Sequence, residues 1–179
     1  MAIYMVGSVY MMMRKTAVVV ACALALVGLD SCCQCGGLPQ PTPQEVAKLK
    51  LVTRSYRVKG KRYVPMDVCE AMGYKEEGIA TYYDDCGTRG AYGEVLRAGT
   101  FYAAHKTLPM PCTVRVTNLS NGRSCDVRVI DRGPFSRNRL IDVSTPVARH
   151  LGFIGKGVQK VRVEVVAVGD APNQLRVKK

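Results

Sequence analysis

Four residues able to move protons stand out by type and spacing: Glu94, His105, Asp131 and Asp142. Glu94 follows Gly93 in a long stretch rich in Gly, Asp and Arg, and His105 comes 105 − 94 = 11 residues later. Asp131 ends an alternating apolar run and precedes Arg132-Gly133, where the backbone can approach a ligand closely. A carboxyl group that works as an acid near neutrality needs partial burial or a neighbouring carboxylate to raise its pKa. Each residue also has a plainer role: Asp131 as a turn cap, Glu94 as a solvated loop carboxylate, His105 as a structural histidine. Lys106 and Arg132 read equally as ligand contacts or surface charge, and Tyr82 and Tyr83 as contacts or packing. His150 is expected on the surface of a small helix.

The elements that would position these groups are mostly strands. Val114 and Val116 alternate with Arg115 and Thr117, Ser120-Asn121-Gly122 is a tight-turn signal, and Cys125, Val127 and Val129 alternate with Asp126 and Arg128. Asp131 has the parity of Val127 and Val129, which predicts it at the rim of their inward face. Tyr56 to Val64 reads as a hairpin around Gly60, and Gly78 to Tyr83 as a strand. Leu140 to Val143 is a short strand, followed by a helix capped at Ser144 or Thr145 and stopped at Gly152. Val161, Val163 and Val165 alternate in a last strand. Short strands, many turns and no repeated βα units predict a small closed β structure.

Ahead of this domain, Arg14-Lys15 and the apolar run Thr16 to Leu29 have the form of a signal peptide, too short for a membrane span. Leu29-Asp30-Ser31-Cys32 resembles a bacterial lipobox, with Cys32 as the lipidated residue and Asp30 as a departure. Cleavage by ordinary signal peptidase is the alternative, and Met13 is an alternative start to Met1. Residues 1–31 are thus expected to be a lipoprotein-type signal and 32–52 a lipidated N-terminus with a Pro-rich tether (Pro39, Pro41, Pro43). Residues 53–75 form a leading hairpin segment, 76–168 the β domain and 169–179 a tail. Export favours disulfides among Cys33, Cys35, Cys69, Cys86, Cys112 and Cys125. A metal site built on Cys33-Gln34-Cys35 and a histidine is the rival, but it lacks the paired spacing of zinc ligands, so no metal is assigned. The formal charge of +12 fits an acidic polymer, anionic lipid or a generally solvated basic surface. No basic block is long enough for a nucleic-acid tail, and nucleic acid is not expected as a partner.

Read together, Gly78-Ile79-Ala80-Thr81-Tyr82-Tyr83, Ala103-Ala104-His105-Lys106-Thr107-Leu108-Pro109, Val114 to Ser124, Asp131-Arg132-Gly133-Pro134-Phe135 and Ile141-Asp142-Val143-Ser144 closely resemble the rare lipoprotein A (RlpA) family, from about Tyr56 to Val166. The resemblance implies a mainly β fold, a six-stranded double-psi β-barrel like those of expansins and barwin, with one or two short helices. It also implies an endolytic lytic transglycosylase cleaving the β-1,4 bond of peptidoglycan, preferably in strands stripped of stem peptides. Such an enzyme needs no cofactor. One carboxyl protonates the leaving oxygen and then serves as base while the sugar's C6 hydroxyl attacks, leaving a 1,6-anhydro end. Asp131 is the first candidate for that group, with Glu94, His105 and Asp142 as further catalytic candidates; Asp142 either supports the groups that touch the sugar or is itself the principal acid. Lys106, Arg132, Tyr82 and Tyr83 are candidate glycan contacts. The implied partners are glycan strands, a membrane reached through the lipid anchor (outer membrane, periplasmic side), and division or cell-wall proteins. Tyr92 and Arg97 depart from the family's usual asparagine and acidic residue, and no C-terminal SPOR domain is expected after the barrel. An expansin-like binder without turnover is the alternative reading.

Overall fold

The structure is a computed structural model that describes residues 41–84, 86–171 and 173–177. The signal segment, Cys32, Cys33 and Cys35 lie outside the described residues. Among those described, no helix is long and apolar enough to cross a membrane.

The chain first forms a short helix, α1 (Pro43–Ala47), closed by a full capping box between Thr42 and Glu45. The hairpin β1 (Tyr56–Val58) and β2 (Lys61–Tyr63) turns at Lys59 and Gly60, both with positive φ, as a two-residue hairpin turn requires. Next come α2 (Val68–Met72), capped by Asp67, and the long strand β3 (Lys75–Tyr83). The remaining elements are β4 (Tyr102–His105), β5 (Cys112–Asn118), β6 (Ser124–Asp131), β7 (Ile141–Ser144), α3 (Thr145–Leu151), β8 (Val158–Val168) and β9 (Leu175–Arg176). The tail expected after Gly169 thus contributes a small strand, β9, which pairs with β8.

Hydrogen-bonded neighbours follow the order β3-β7-β4-β6-β5-β8-β9, and β8 also pairs with β3, so the ladder of six strands returns to its start. Two pairs are parallel, β3 with β7 and β4 with β6, within an otherwise antiparallel ring. This is the closed β structure expected from the strand pattern and the double-psi barrel that the family resemblance implies. Its interior is filled by the alternating valines, including Val114, Val116, Val127, Val129, Val161 and Val163, all essentially without exposure. Helix α3 packs on β3, β6 and β7 and ends at Gly152 in the left-handed conformation.

The expected disulfides are not seen at Cys86, Cys112 and Cys125, which are thiols. Cys112 pairs in register with Val129 and Cys125 with Val116. Along β6 those rungs lie four residues apart, roughly 14 Å at strand rise, against a Cα limit of about 7 Å for a disulfide. Burial pushes the Cys112 thiol up to about 12 and the Cys125 thiol up to about 11, so neither is a ready nucleophile.

Leu151 joins α3 to the barrel: its side chain is fully buried, and its carbonyl accepts from Asn118 and Asn121 at 2.9 and 3.0 Å. Leu151→Ala is expected to lower unfolding free energy by about 2–5 kcal/mol, read by urea denaturation.

Candidate active site

One rung of the barrel brings the proton-active residues together. Thr81 on β3 is in register with Asp142 on β7, Asp142 with Ala104 on β4, and Ala104 with Asp131 on β6. Their neighbours Ala80, Ala103, Ile141 and Val143 belong to the core, so by strand alternation Thr81, Asp142 and Ala104 face away from it. Asp131 reaches this row through an irregularity. Ala103 pairs with Val129, but Ala104 pairs with Asp131, so Ile130 is an extra residue. The parity argument that put Asp131 on the inward face with Val127 and Val129 fails for this reason. Across two strand spacings, Asp131 and Asp142 are separated by roughly 10 Å between Cα atoms.

Asp142 is buried, and burial raises its pKa. The Thr81 hydroxyl, which donates to Oδ1, pulls the other way, as do the charges of Arg139 and Lys106. Arg139 reaches Oδ2 at 3.3 Å, and Lys106 Nζ donates to the Arg139 carbonyl at 2.5 Å. Desolvation prevails over these cationic neighbours, and the carboxyl is shifted toward the protonated form that an acid requires.

Asp131 is arranged differently. Its Oδ1 accepts from the backbone N–H groups of Ala91 at 2.9 Å and Arg132 at 2.8 Å, tying the loop of residues 86–100 to the end of β6. The same loop is held by Tyr92 N–H donating to the Ile130 carbonyl at 3.0 Å. Gly90 is required at this contact, since a Cβ there would lie 2.8 Å from the Ile130 oxygen. Glu94, on this loop, accepts two bonds from Arg128 at 2.9 and 3.1 Å. That pairing lowers its pKa, and the charge of Arg97 adds to the effect. Glu94 is therefore held as a carboxylate, suited to accepting hydrogen bonds and unsuited to donating a proton.

His105 does not face the row. It is almost fully buried, and its Nδ1 accepts from the N–H groups of Thr107 at 3.2 Å and Leu108 at 3.1 Å. The proton therefore sits on Nε2, which donates to Tyr74 Oη at 3.1 Å, and Tyr74 in turn donates to Glu76 at 2.7 Å. The ring is a fastening for the turn that carries Lys106. Arg132, expected as a glycan contact, has its guanidinium committed to the backbone: NH1 donates to Leu108 O at 2.6 Å and NH2 to Val52 O at 3.0 Å, with the group over the Tyr56 ring. Tyr82 is part-exposed and donates to the Ile154 carbonyl, whereas Tyr83 packs edge-on against Tyr102, so the two tyrosines do not share a surface. Thr81, Arg139 and Arg128 are the site residues that sequence reasoning passed over. Thr81 lay within a recognised motif, but only the β3–β7 register reveals its partner. Among the described residues, no cluster of three or more His, Cys, Asp or Glu side chains is placed to hold a metal ion.

Burial lowers the pKa of His105 from 6.5 to about 3. Between those values the unfolded chain binds a proton that the folded chain does not. The corresponding stability is present above 6.5 and lost as pH falls toward 3. Asp142, displaced upward, contributes with the opposite sign. Urea unfolding at pH 4 and pH 7 is expected to show lower stability at pH 4, with a smaller difference in His105→Asn. An undiminished difference would assign the acid sensitivity to other groups.

Comparison with known proteins bears on this arrangement. The lytic transglycolase family pattern matches residues 75–163. A protein of Neisseria meningitidis serogroup A named endolytic peptidoglycan transglycosylase RlpA is 45% identical over 120 residues, 66% of this chain and 49% of its own length. The protein of that name from Haemophilus influenzae is 44% identical over 122 residues, 67% of this chain and 42% of its own. The chain thus spans less than half the length of these two relatives. Among solved structures, the Streptomyces papain inhibitor is similar at a TM-score of 0.45 and 27% identity, over 52% of this chain and 96% of that one. The matched segment runs from β3 to the middle of β8 and contains the row Thr81, Asp142, Ala104 and Asp131, so this part of the chain carries the lytic transglycolase family pattern and is similar to the RlpA proteins.

Proposed function

We propose that the chain is an endolytic peptidoglycan lytic transglycosylase, a lyase that cleaves between N-acetylmuramic acid and N-acetylglucosamine and leaves 1,6-anhydro ends. The observation that carries this reading is Asp142: a buried carboxyl with a raised pKa, hydrogen-bonded by Thr81 in the same row as Asp131. Asp142 donates its proton to the leaving oxygen as positive charge develops at the anomeric carbon. The resulting carboxylate then accepts the proton of the C6 hydroxyl as that oxygen closes the anhydro ring. Thr81 and Arg139 stabilise the carboxylate between the two steps. Asp131 sets the loop that borders the row, His105 and Arg132 hold the backbone around Lys106, and Glu94 accepts from sugar hydroxyls. Peptide-stripped strands are the favoured substrate. Arg14 to Cys32 supports export and lipid anchoring at Cys32, with the barrel held in the periplasm on the tether after it. The binding-only reading is favoured by one observation, Arg139 against the outer oxygen of Asp142.

The test is incubation with peptide-stripped glycan and mass spectrometry of the ends. Wild type is expected to form anhydro ends, with activity falling as pH rises through the elevated pKa of Asp142. Asp142→Asn should lose about 10²-fold or more. Asp131→Asn keeps an acceptor for Ala91 and Arg132 and should lose less. Loss in Asp131→Asn with activity retained in Asp142→Asn would return the acid role to Asp131. Binding by wild type without anhydro ends would leave the binding-only reading.

A further inference from the structure

The turn Asp131-Arg132-Gly133-Pro134-Phe135 leaves β6 at the row. A Cβ placed at Gly133 would lie 3.8 Å from the Ala104 Cβ and 3.9 Å from Phe135 Cε2. One buried glycine thus separates the row from the edge of the Phe135 ring. Asp142 is the register partner of Ala104 on the next strand, about 5 Å away. A chain of sugars laid across the strands from Asp142 therefore passes Ala104 and arrives at Phe135.

Phe135 is 41% exposed, yet its ring is braced. Tyr56 and Tyr63 are register partners on the β1–β2 hairpin, and their rings stack at 5.2 Å. Phe135 meets Tyr63 at 5.5 Å and Tyr56 edge-on at 6.2 Å. The hairpin is fastened to the site in turn: Tyr56 Oη donates to the Lys106 carbonyl at 2.7 Å, and the Arg132 guanidinium lies over the Tyr56 ring. It forms a two-stranded sheet separate from the barrel ladder. A ring held on one side and open on the other offers a flat apolar surface at little entropic cost on binding. Ser136, Arg137 and Asn138, which follow it, are exposed and polar. A single apolar face within a polar rim matches a pyranose, whose C–H face is apolar and whose edge carries hydroxyl and acetamido groups. A lipid surface or a protein partner would call for a broader apolar patch.

We propose that Phe135 is a sugar platform: a pyranose ring of the glycan strand stacks on its open face, on the β6 side of Asp142. Tyr63 is the positioning residue that holds the platform through its ring contact. The inference deepens the reading of the chain as acting on peptidoglycan glycan and rests on it. It gives the hairpin a part in the reaction. Fixing the strand on one side of the scissile bond keeps the glycosidic oxygen within reach of the Asp142 carboxyl.

The test uses the full chain and peptide-stripped glycan strands, with binding read by calorimetry and anhydro ends by mass spectrometry. Phe135→Leu stays apolar but loses the flat face, and is expected to weaken binding roughly tenfold with circular dichroism unchanged. Phe135→Tyr keeps the face and should bind as wild type does. Tyr63→Leu should weaken binding too, and combined with Phe135→Leu it should add no further loss, since both act through one ring. Unchanged binding in folded Phe135→Leu, or an equal loss in Phe135→Tyr, overturns the platform, and additive losses overturn the role of Tyr63. If Tyr63→Leu does not fold, the two Phe135 variants decide alone. Phe135-dependent binding of anionic phospholipid vesicles, with glycan binding independent of it, assigns the ring to a membrane and overturns the proposal. Phe135-dependent glycan binding without anhydro ends leaves the platform standing and refutes the enzyme reading; anhydro ends formed with the same KM by wild type and Phe135→Leu do the reverse.

Discussion

The register of four adjacent strands is the constraint on which the site depends. Thr81, Asp142, Ala104 and Asp131 come from β3, β7, β4 and β6, and no two of them are neighbours in the chain. Parallel pairing of β3 with β7, and of β4 with β6, is possible only through long connections. These connections carry Lys106, Arg132 and Arg139 to the edges of the row. The extra residue at Ile130 matters as much as the pairing itself. Without it, Asp131 would keep the parity of Val127 and Val129 and point into a core with no partner for a charge.

Within that frame the carboxylates separate by environment. Glu94 is part of an exposed ion pair with Arg128, and its pKa is lowered. Asp142 is close to two cations as well, yet burial outweighs them and its pKa is raised. The difference lies in solvent. At Glu94 the guanidinium meets a hydrated carboxylate at little desolvation cost, whereas Asp142 has lost most of its water to Thr81 and the flanking strands. Two carboxyl groups on one fold thus suit opposite tasks: one accepts hydrogen bonds as an anion, the other supplies a proton.

His105 and Arg132 show how chain adjacency can mislead. Both lie next to site residues in sequence, yet both turn inward, where each satisfies backbone groups that the crossover segments leave unpaired. His105 accepts from two N–H groups of the Lys106–Leu108 turn, and Arg132 donates to carbonyls of the Val52 and Leu108 segments. Buried turns require such partners. A polar motif residue inside a dense connection can therefore matter to the site without touching its ligand.

Much of the fold was legible in the sequence, because alternation at Val114 to Val129 and Val161 to Val165, turn residues at Gly60 and Asn121-Gly122, and the stop at Gly152 are local signals with local causes. The Thr42–Glu45 capping box was equally local and was passed over. Cysteine number pointed to disulfides, but Cys112 and Cys125 sit on rungs too far apart, a matter of register that counting does not reach. Sequence by itself determined the residue types available for acid–base work and the strands that carry them. Only the tertiary structure decided which carboxyl loses its water, which cation is neutralised and which histidine is buried. Desolvation and pairing depend on neighbours brought from distant parts of the chain, and those neighbours are fixed by the closing of the barrel.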